Sequence, residues 1–208
     1  MFINNFDPVA IQIFSLEIRW YSLSYIFGII LAWIYCKKII IKDQGYSKLF
    51  DDLISYLIVG IIFGGRIGYV VFYNAEYYLN NLIEIPMIWK GGMSFHGGLL
   101  GVIVSIIIFS KKTKNNFFKF ADIVACVAPI GLFFGRIANF INAELVGKFS
   151  TLPWAVTFPN IDNLTRHPSQ IYQAILEGII LFIIINFLAL KKKLIIKSGY
   201  VSGVFLIL

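Results

Sequence analysis

Five apolar runs, each of about twenty residues, divide this sequence, and that is the length at which an α-helix crosses a bilayer. Hydrophobic residues make up 59% of the chain, charged residues 14%, and the mean hydropathy is +0.81. A soluble domain does not bury this much apolar surface. We therefore predict an all-α fold, a polytopic transmembrane helical bundle. The predicted spans cover about residues 20–36, 52–73, 93–110, 121–141 and 168–190.

A sixth apolar run begins near Gly199 and reaches Leu208, which is about half the length of a span. The expectation is thus five complete spans plus a truncated sixth. Because no internal repeat or low-complexity linker interrupts the pattern, residues 1–208 are predicted to form a single transmembrane helical domain. Residues 1–18 are predicted to be an interfacial arm, and residues 74–92 and 148–167 outer connections.

Basic residues indicate the orientation of these spans. The connections after the first, third and fifth runs hold twelve of the eighteen Lys and Arg residues, and cytoplasmic loops are the ones enriched in them. The N-terminus is therefore predicted to lie outside. The net charge of +7 comes from short runs between spans, so it indicates topology, and no nucleic-acid partner is expected.

Small residues inside the runs indicate how the helices pack. Gly60, Gly64 and Gly68 recur at four-residue spacing in the second run, which predicts the close approach of another helix. Cys36 and Cys126 lie far apart in two apolar runs, where thiols act as small apolar fillers. Neither a disulfide nor a metal site is expected from them.

The fourth run ends in an unusually polar stretch. Gly135–Gly147 reads GRIANFINAELVG and carries Arg136, Asn139, Asn142 and Glu144. A charge at bilayer depth costs at least about 2.5–3.5 kcal/mol, and such residues usually face the bundle interior at a functional site. The alternative is that Arg136 only extends to the lipid headgroups.

The predicted topology brings other polar residues to the depth of this stretch. Tyr21 begins the first span on the outside, Arg66 lies in the outer half of the second, and His96 lies in the first turn of the third. Arg136 reaches the outer half of the fourth span, and residues 166–167 precede the fifth. Because polar groups from five segments converge, the sequence predicts one site in the outer half of the membrane.

The residue types at this depth suit an anion. The guanidinium groups of Arg66 and Arg136 match phosphate, and His96 is a candidate base or hydrogen-bond donor near neutral pH. Gly97 and Gly98 leave bare backbone at an expected helix start, which favours an anion. The alternatives are a satisfied interfacial histidine and glycines that serve helix packing alone. Two histidines without an acidic partner at ligand spacing argue against zinc, so the prediction is an anionic lipid headgroup.

Several of these motifs resemble those of the bacterial prolipoprotein diacylglyceryl transferase family. The two long matches are Gly91–Gly98 (GGMSFHGG) and Gly135–Gly147. Shorter matches are Arg19–Tyr21 before the first span, Gly64–Tyr69 in the second, and Arg166–Tyr172 (RHPSQIY). The resemblance covers nearly the whole chain in order. The two long motifs are specific, whereas Gly64–Tyr69 alone would be a weak signal.

The resemblance implies a multi-pass transferase of the bacterial plasma (inner) membrane, with its active site facing the outer leaflet. Its substrates would be phosphatidylglycerol and the prolipoprotein signal peptide with its lipobox cysteine. Moving the diacylglyceryl group onto that thiol forms a thioether and releases glycerol phosphate, the first step of bacterial lipoprotein maturation. No metal or organic cofactor is implied.

The resemblance also implies roles for residues at the matching positions. Arg136 would hold the phosphate, His96 would act as a base or orient the substrate, and Glu144 would hold an arginine in place. The implied catalytic residues are Tyr21, His96, Arg136, Asn139 and Glu144. Phosphatidylglycerol contacts are expected from Arg136 and Gly147, with further contacts from Arg66, Gly97, Gly98 and Asn142.

The match departs from the family pattern in three places. Ala138 stands where the family has glycine, a small change that we expect to be tolerated. Gln173 stands where an acidic residue often follows the motif tyrosine, which removes one charge near the site. The sequence stops at Leu208, before the family's final span with its further arginine and glutamate.

Three alternatives follow from these observations. The chain is either a fragment of an active enzyme or a truncated, inactive remnant of the transferase. A non-catalytic lipid-binding or transport protein built on the same helices is the third possibility, because transporters also contain broken helices and buried charges. Against transport, the polar residues cluster on one side and form no path through the bilayer.

Overall fold

The computed structural model describes residues 2–14 and 16–208, and five helices in this part of the chain are long and apolar enough to cross a membrane. The prediction of a polytopic helical membrane protein is therefore confirmed. The five membrane-length helices are, in chain order, Trp20–Ile40, Gln44–Tyr73, Phe95–Thr113, Phe117–Ile141 and Ser169–Lys191.

The helices extend beyond the ends that hydropathy predicts. The first comprises α1 (Trp20–Tyr35) and a π-helical turn at Cys36–Ile40. The second, α2 (Gln44–Tyr73), begins before residue 52 because the Asp43 side chain accepts a hydrogen bond from the Tyr46 N–H at 3.1 Å. That bond is an N-cap, which starts a helix irrespective of how apolar the next turn is.

The fifth membrane-length helix is built from four consecutive segments. It comprises α6 (Ser169–Gln173), a π-helical segment at Ala174–Ile180, α7 (Leu181–Asn186) and a π-helical turn at Phe187–Lys191. Long π-helical segments are rare and often lie at functional sites. The short helix α8 (Tyr200–Ile207) follows and comprises most of the sixth apolar run.

The arm and the outer connection 148–167 contain short β-strands that the all-α prediction omitted. In the arm, β2 (Val9–Ile13) pairs antiparallel with β3 (Leu16–Arg19). β1 (Phe2–Ile3) pairs in parallel with β4 (Val156–Thr157), which pairs antiparallel with β5 (Thr165–Arg166). The apolar residues at positions 9, 11 and 13 alternate along β2, and this period of two is the strand signal in the arm.

Between α2 and the third membrane-length helix, α4 (Phe95–Thr113), the chain forms α3 (Ala75–Asn80) and two 3₁₀ turns, Leu82–Glu84 and Ile88–Lys90. The fourth membrane-length helix is α5 (Phe117–Ile141). The described chain divides into two compact units. The first is formed by the chain up to Ile40 together with Asp122–Leu208, and the second is Ile41–Ala121.

Glycines bring α2 and α4 together in the second unit. A Cβ on Gly68 would lie 2.7 Å from the Gly97 Cα, and a Cβ on Gly64 or Gly101 would overlap a carbonyl group of the facing helix. The predicted close approach at Gly60, Gly64 and Gly68 is thus confirmed, and α4 is the helix that approaches. Removing Cβ atoms lets two backbones come into direct contact, which is how small residues stabilise helix pairs in membranes.

Buried polar residues join the elements of the first unit. Asp122, 0% exposed, accepts hydrogen bonds from the N–H of Gly199 at 2.7 Å and from the N–H of Ser202 at 2.8 Å. These bonds satisfy donors at the start of α8. Asn186 donates to the Cys126 carbonyl at 2.9 Å and accepts from the Tyr35 hydroxyl at 3.0 Å.

The α2–α4 contact makes a stability prediction. We expect Gly101→Ala to lower the free energy of unfolding by about 1–3 kcal/mol, because the added methyl group overlaps the Gly60 carbonyl. Gly98→Ala is the matched control on the same helix, since its Cβ would come no closer than 3.9 Å to the Ile61 carbonyl oxygen. Thermal unfolding in detergent micelles measures both, and equal melting temperatures for the two variants would contradict this packing.

Candidate functional site

Arg136 is the charged centre of the polar region in the first unit. It lies near the end of α5, and its Nε and Nη2 atoms donate to the Oε2 atom of Glu177 at 3.0 and 2.8 Å. The side chains are 24% and 39% exposed. Arg136 thus pairs with another helix of the unit, which argues against the alternative that it only extends to headgroups.

Glu177 is a residue that the sequence analysis missed. It lies within the π-helical segment Ala174–Ile180, in the middle of an apolar run. A carboxylate at that depth is as costly as an arginine, and this cost was the signal that pointed to it. Its choice of Arg136 as partner depends on how the two helices are rotated, which hydropathy does not report.

Among the described residues, Glu144 contacts two asparagines, and its expected role of holding an arginine in place stays a prediction. Its two carboxylate oxygens accept from the side-chain amides of Asn139 at 2.8 Å and Asn142 at 3.2 Å. After α5 ends, Ala143 and Leu145 adopt left-handed backbone angles, with φ of 55° and 52°. This tight turn brings the carboxylate back over the last turn of α5, so three predicted site residues form one hydrogen-bonded cluster.

The loop after this turn is tied to the start of the fifth membrane-length helix. Gln170, 0% exposed, donates to the Glu144 carbonyl at 2.5 Å, and the Ser169 hydroxyl donates to the Leu145 carbonyl at 2.7 Å. The Gly147 N–H donates to the His167 carbonyl at 3.2 Å. A Cβ on Gly147 would lie 2.9 Å from the His167 Cβ. The close approach of these two backbone segments therefore requires glycine at position 147.

Arg166 strengthens the same connection from the side of the helix start. It donates to the Gly147 carbonyl at 3.1 Å and forms an ion pair with Asp162. The hydrogen bond from Arg166 holds the pKa of the Asp162 carboxyl below its usual range. The pair therefore stays charged at neutral pH and keeps the Gly147 loop in place.

Three amide oxygens in this region are buried without a donor from the described residues. They belong to Asn142, Gln170 and Gln173. A buried acceptor that lacks a donor costs about 1–3 kcal/mol. Water, or a ligand with hydroxyl or amide donors, would recover that cost.

Tyr21 is also in the first unit. It is the second residue of α1 and is half-buried, and its ring meets that of Tyr25 edge-on with centroids 5.3 Å apart. The Tyr21 carbonyl accepts from the Ser24 hydroxyl at 2.7 Å. These contacts place the ring at the start of the first span, as the sequence predicts.

Arg66 has a different environment in the second unit. It is 3% exposed, and its guanidinium donates to the carbonyl oxygens of Glu84 and Ile85 at 2.7 Å and of Gly91 at 2.5 Å. A longer bond reaches the Gly92 carbonyl at 3.3 Å. Four of the five N–H donors of the group are thereby used. Arg66 organises the connection before α4, and its predicted contact with phosphate would require these bonds to open.

His96 lies in the first turn of α4 and its side chain is exposed, with an edge-on contact to the Phe95 ring at 5.7 Å. The neighbouring glycines do not offer free N–H groups to an anion. The Gly97 N–H donates to the Ser94 hydroxyl at 3.2 Å, and the Gly98 N–H donates to the Ser94 carbonyl at 2.9 Å. Gly97 also packs against α2, so the alternative of helix packing describes its observed contacts.

The predicted site residues therefore fall into two sets, one in each unit. The first unit contains Tyr21, Arg136, Asn139, Asn142, Glu144 and Gly147. The second unit contains Arg66, His96, Gly97 and Gly98. Their convergence on one site stays a prediction.

Comparison with known proteins identifies the relatives of this chain. The pattern of the prolipoprotein diacylglyceryl transferase family matches residues 8–208. A phosphatidylglycerol–prolipoprotein diacylglyceryl transferase of Rickettsia felis is 49% identical over 205 residues, which is 98% of this chain and 79% of that protein. Proteins of the same name from Paramagnetospirillum magneticum and Rickettsia canadensis are 49% and 48% identical, over 76% and 80% of their lengths and 96% and 99% of this chain.

The contacts of Arg66 generate a second prediction. Arg66→Lys keeps the charge but loses the planar set of donors, so we expect the amides of Ile85 and of residues 87–91 to exchange with deuterium about tenfold faster or more. This follows because a hydrogen bond to a charged group contributes about 1.5–3 kcal/mol. Arg19→Lys, at a side chain 62% exposed, is the control and should leave the exchange unchanged. Unchanged protection in Arg66→Lys would show that these bonds do not hold the connection.

Proposed function

Because the chain belongs to the prolipoprotein diacylglyceryl transferase family, we propose that it transfers the diacylglyceryl group of phosphatidylglycerol to prolipoproteins. The acceptor is the thiol of the lipobox cysteine in the signal peptide. The protein works in the bacterial inner membrane, with its site open to the outer leaflet. The observation that carries this proposal is the pairing of Arg136, in the family's polar stretch, with Glu177 of another membrane-length helix, because it places a guanidinium group among apolar helices.

The reaction forms one bond and breaks another at a single carbon. The cysteine sulfur attacks the diacylglyceryl carbon that bears the phosphate ester, and a C–S bond forms as the C–O bond breaks. The electron pair of that bond leaves on the phosphate oxygen, so glycerol phosphate departs with additional negative charge. The thiol proton must pass to a base, because the thiolate is the effective nucleophile.

Arg136 is the residue that we assign to the departing phosphate. A fixed cation stabilises developing charge most strongly where water is scarce, because the local dielectric is low. A planar guanidinium also binds two phosphate oxygens at once. Arg66 would contribute less in its observed state, since four of its donors already bind carbonyl oxygens.

His96 is the residue that we assign to the thiol proton. Its imidazole is exposed at the start of α4, and an imidazole nitrogen can accept a proton from a thiol. An orienting role toward the peptide is the second possibility for the same side chain. Tyr21 would lie beside the substrates at the outer end of α1.

The Asn139, Asn142 and Glu144 cluster supports a contact to the headgroup rather than to the reacting carbon. The headgroup of phosphatidylglycerol ends in a glycerol with two hydroxyl donors. The donor-free amide oxygens of Asn142, Gln170 and Gln173 are of the type that would accept from them. We assign these oxygens to headgroup selection, and Gly147 to keeping the loop that presents them close to His167.

The role of Arg136 is tested by transfer kinetics. We expect Arg136→Ala to lower kcat by about 100-fold or more, the effect of removing a fixed electrostatic stabiliser. The assay measures diacylglyceryl transfer to a lipobox peptide by mass spectrometry. Lys90→Ala, which removes an exposed cation of the outer connection, should transfer at the original rate. Unimpaired transfer by Arg136→Ala would exclude the phosphate role.

Headgroup selection is tested with phosphatidylpropanol, which keeps the phosphate but lacks both hydroxyl groups. Gln173→Met removes one acceptor at similar side-chain volume. We expect it to lower the rate with phosphatidylglycerol by about 2–10-fold, since a net hydrogen bond contributes about 0.5–1.5 kcal/mol. The rate with phosphatidylpropanol should stay the same. An equal loss with both lipids would mean that Gln173 does not contact the headgroup.

A further inference from the structure

The ion pair of Arg136 uses only one edge of its guanidinium group. Both hydrogen bonds to Glu177 come from the side edge, formed by Nε and Nη2, and both end on the same carboxylate oxygen. Among the described residues, no hydrogen bond is made by Nη1. The terminal edge, formed by Nη1 and Nη2, therefore keeps donors for a second anion, and the side chain remains 24% exposed.

Two features of the fifth membrane-length helix place Glu177 against this side edge. The π-helical segment Ala174–Ile180 changes the rotation of side chains relative to a regular α-helix, and Glu177 lies at its centre. The next residue, Gly178, lies so close to α5 that an added Cβ would be 2.7 Å from the Cβ of Phe133. Phe133 is three residues before Arg136, which puts both on one face of α5.

We propose that Glu177 is a positioning residue for the transfer reaction. Its carboxylate fixes the side edge of Arg136 and thereby directs the terminal edge of the guanidinium at the phosphate of the lipid substrate. This inference rests on the proposed function, because it assigns a second residue to the same phosphate site.

A guanidinium group that is held by Glu177 on its side edge is suited to bind a departing phosphate through its terminal edge. An arginine side chain has several rotatable bonds, and without a fixed partner its guanidinium group samples many orientations. A carboxylate on the side edge removes that freedom before the substrate arrives and leaves the two terminal donors parallel, the geometry that phosphate accepts. The negative charge of Glu177 also repels the negative charge of the phosphate. Glu177 therefore orients Arg136 more than it increases the affinity for the lipid.

Because Glu177 orients Arg136 but also repels the phosphate, its removal should change kcat much more than KM. In Glu177→Gln, lost orientation of Arg136 should lower kcat by about tenfold to 100-fold, as small misplacements of catalytic groups do. KM for phosphatidylglycerol should change by less than about threefold, because the loss of orientation is offset by the loss of repulsion. Glu177→Asp keeps the charge with a shorter reach and should give an intermediate kcat.

A spectroscopic measurement reports the position of Arg136 without any need for turnover. The chain contains four arginines, so a ¹⁵N-arginine spectrum in micelles has four Nε signals, and Arg136→Lys identifies one of them. In the unsubstituted chain, the Arg136 Nε–H should exchange slowly with water and its Nη signals should shift on addition of dihexanoyl phosphatidylglycerol. In Glu177→Gln, the Nε–H should exchange at least about tenfold faster, while the Arg66 signal stays unchanged as the internal reference.

Glu17→Gln is the matched control, because Glu17 also pairs with an arginine, Arg19 at 3.2 Å, but on the exposed arm. It should alter neither kcat nor the Arg136 signal. The proposal is overturned if Glu177→Gln keeps the original kcat and Nε–H exchange. It is also overturned if Gln and Asp variants lose kcat equally with the same fall in melting temperature, since that pattern indicates structural support alone.

The proposed reaction and the positioning role of Glu177 would be contradicted by different results. If the unsubstituted chain transfers no diacylglyceryl group but its Arg136 signals depend on Glu177 and shift with phosphatidylglycerol, the proposed reaction fails and the positioning role stands. If transfer occurs and Glu177→Gln has no effect on kcat or on the signal, the reaction stands and the positioning role fails.

Discussion

The Arg136–Glu177 ion pair is the interaction on which the polar region of the first unit depends. Both residues lie within membrane-length helices, where an unpaired charge is costly, and each compensates the other at 2.8 Å. Removing one partner leaves the other without compensation among apolar helices. The pair therefore requires that α5 and the fifth membrane-length helix, Ser169–Lys191, stay in close contact. Gly178 makes that contact possible because it has no Cβ.

The second unit meets the same constraint with a different arginine. Arg66 uses its donors on the carbonyl oxygens of the connection before α4, so backbone acceptors near the membrane are satisfied inside the protein. The glycines of α2 and α4 allow the backbone contact beneath it. One arginine thus organises the fold of a connection, whereas Arg136 keeps donors for a ligand. The sequence alone does not distinguish these two uses.

Hydropathy and glycine spacing predicted the five spans and the contact at Gly64, because both depend on residue type along a single helix. The hairpin in the arm, the π-helical segment around Glu177 and the partners of Glu144 were missed. These features depend on how one helix is rotated against another and on a two-residue left-handed turn, which no periodic pattern encodes. The motifs predicted the family, and the comparisons confirmed it, while the meeting of His96 with Arg136 stays a prediction.

We propose one reaction for the pre-oriented Arg136, the donor-free amide oxygens and the exposed His96. It is transfer of a diacylglyceryl group with loss of glycerol phosphate. The most direct test is to incubate the chain with a lipobox peptide and phosphatidylglycerol of defined acyl composition. The mass of the peptide is then measured by mass spectrometry. The account predicts that the cysteine gains the mass of one diacylglyceryl group and that an equal amount of glycerol phosphate is released. Binding or movement of phosphatidylglycerol by the chain, with no thioether on the peptide, would contradict it.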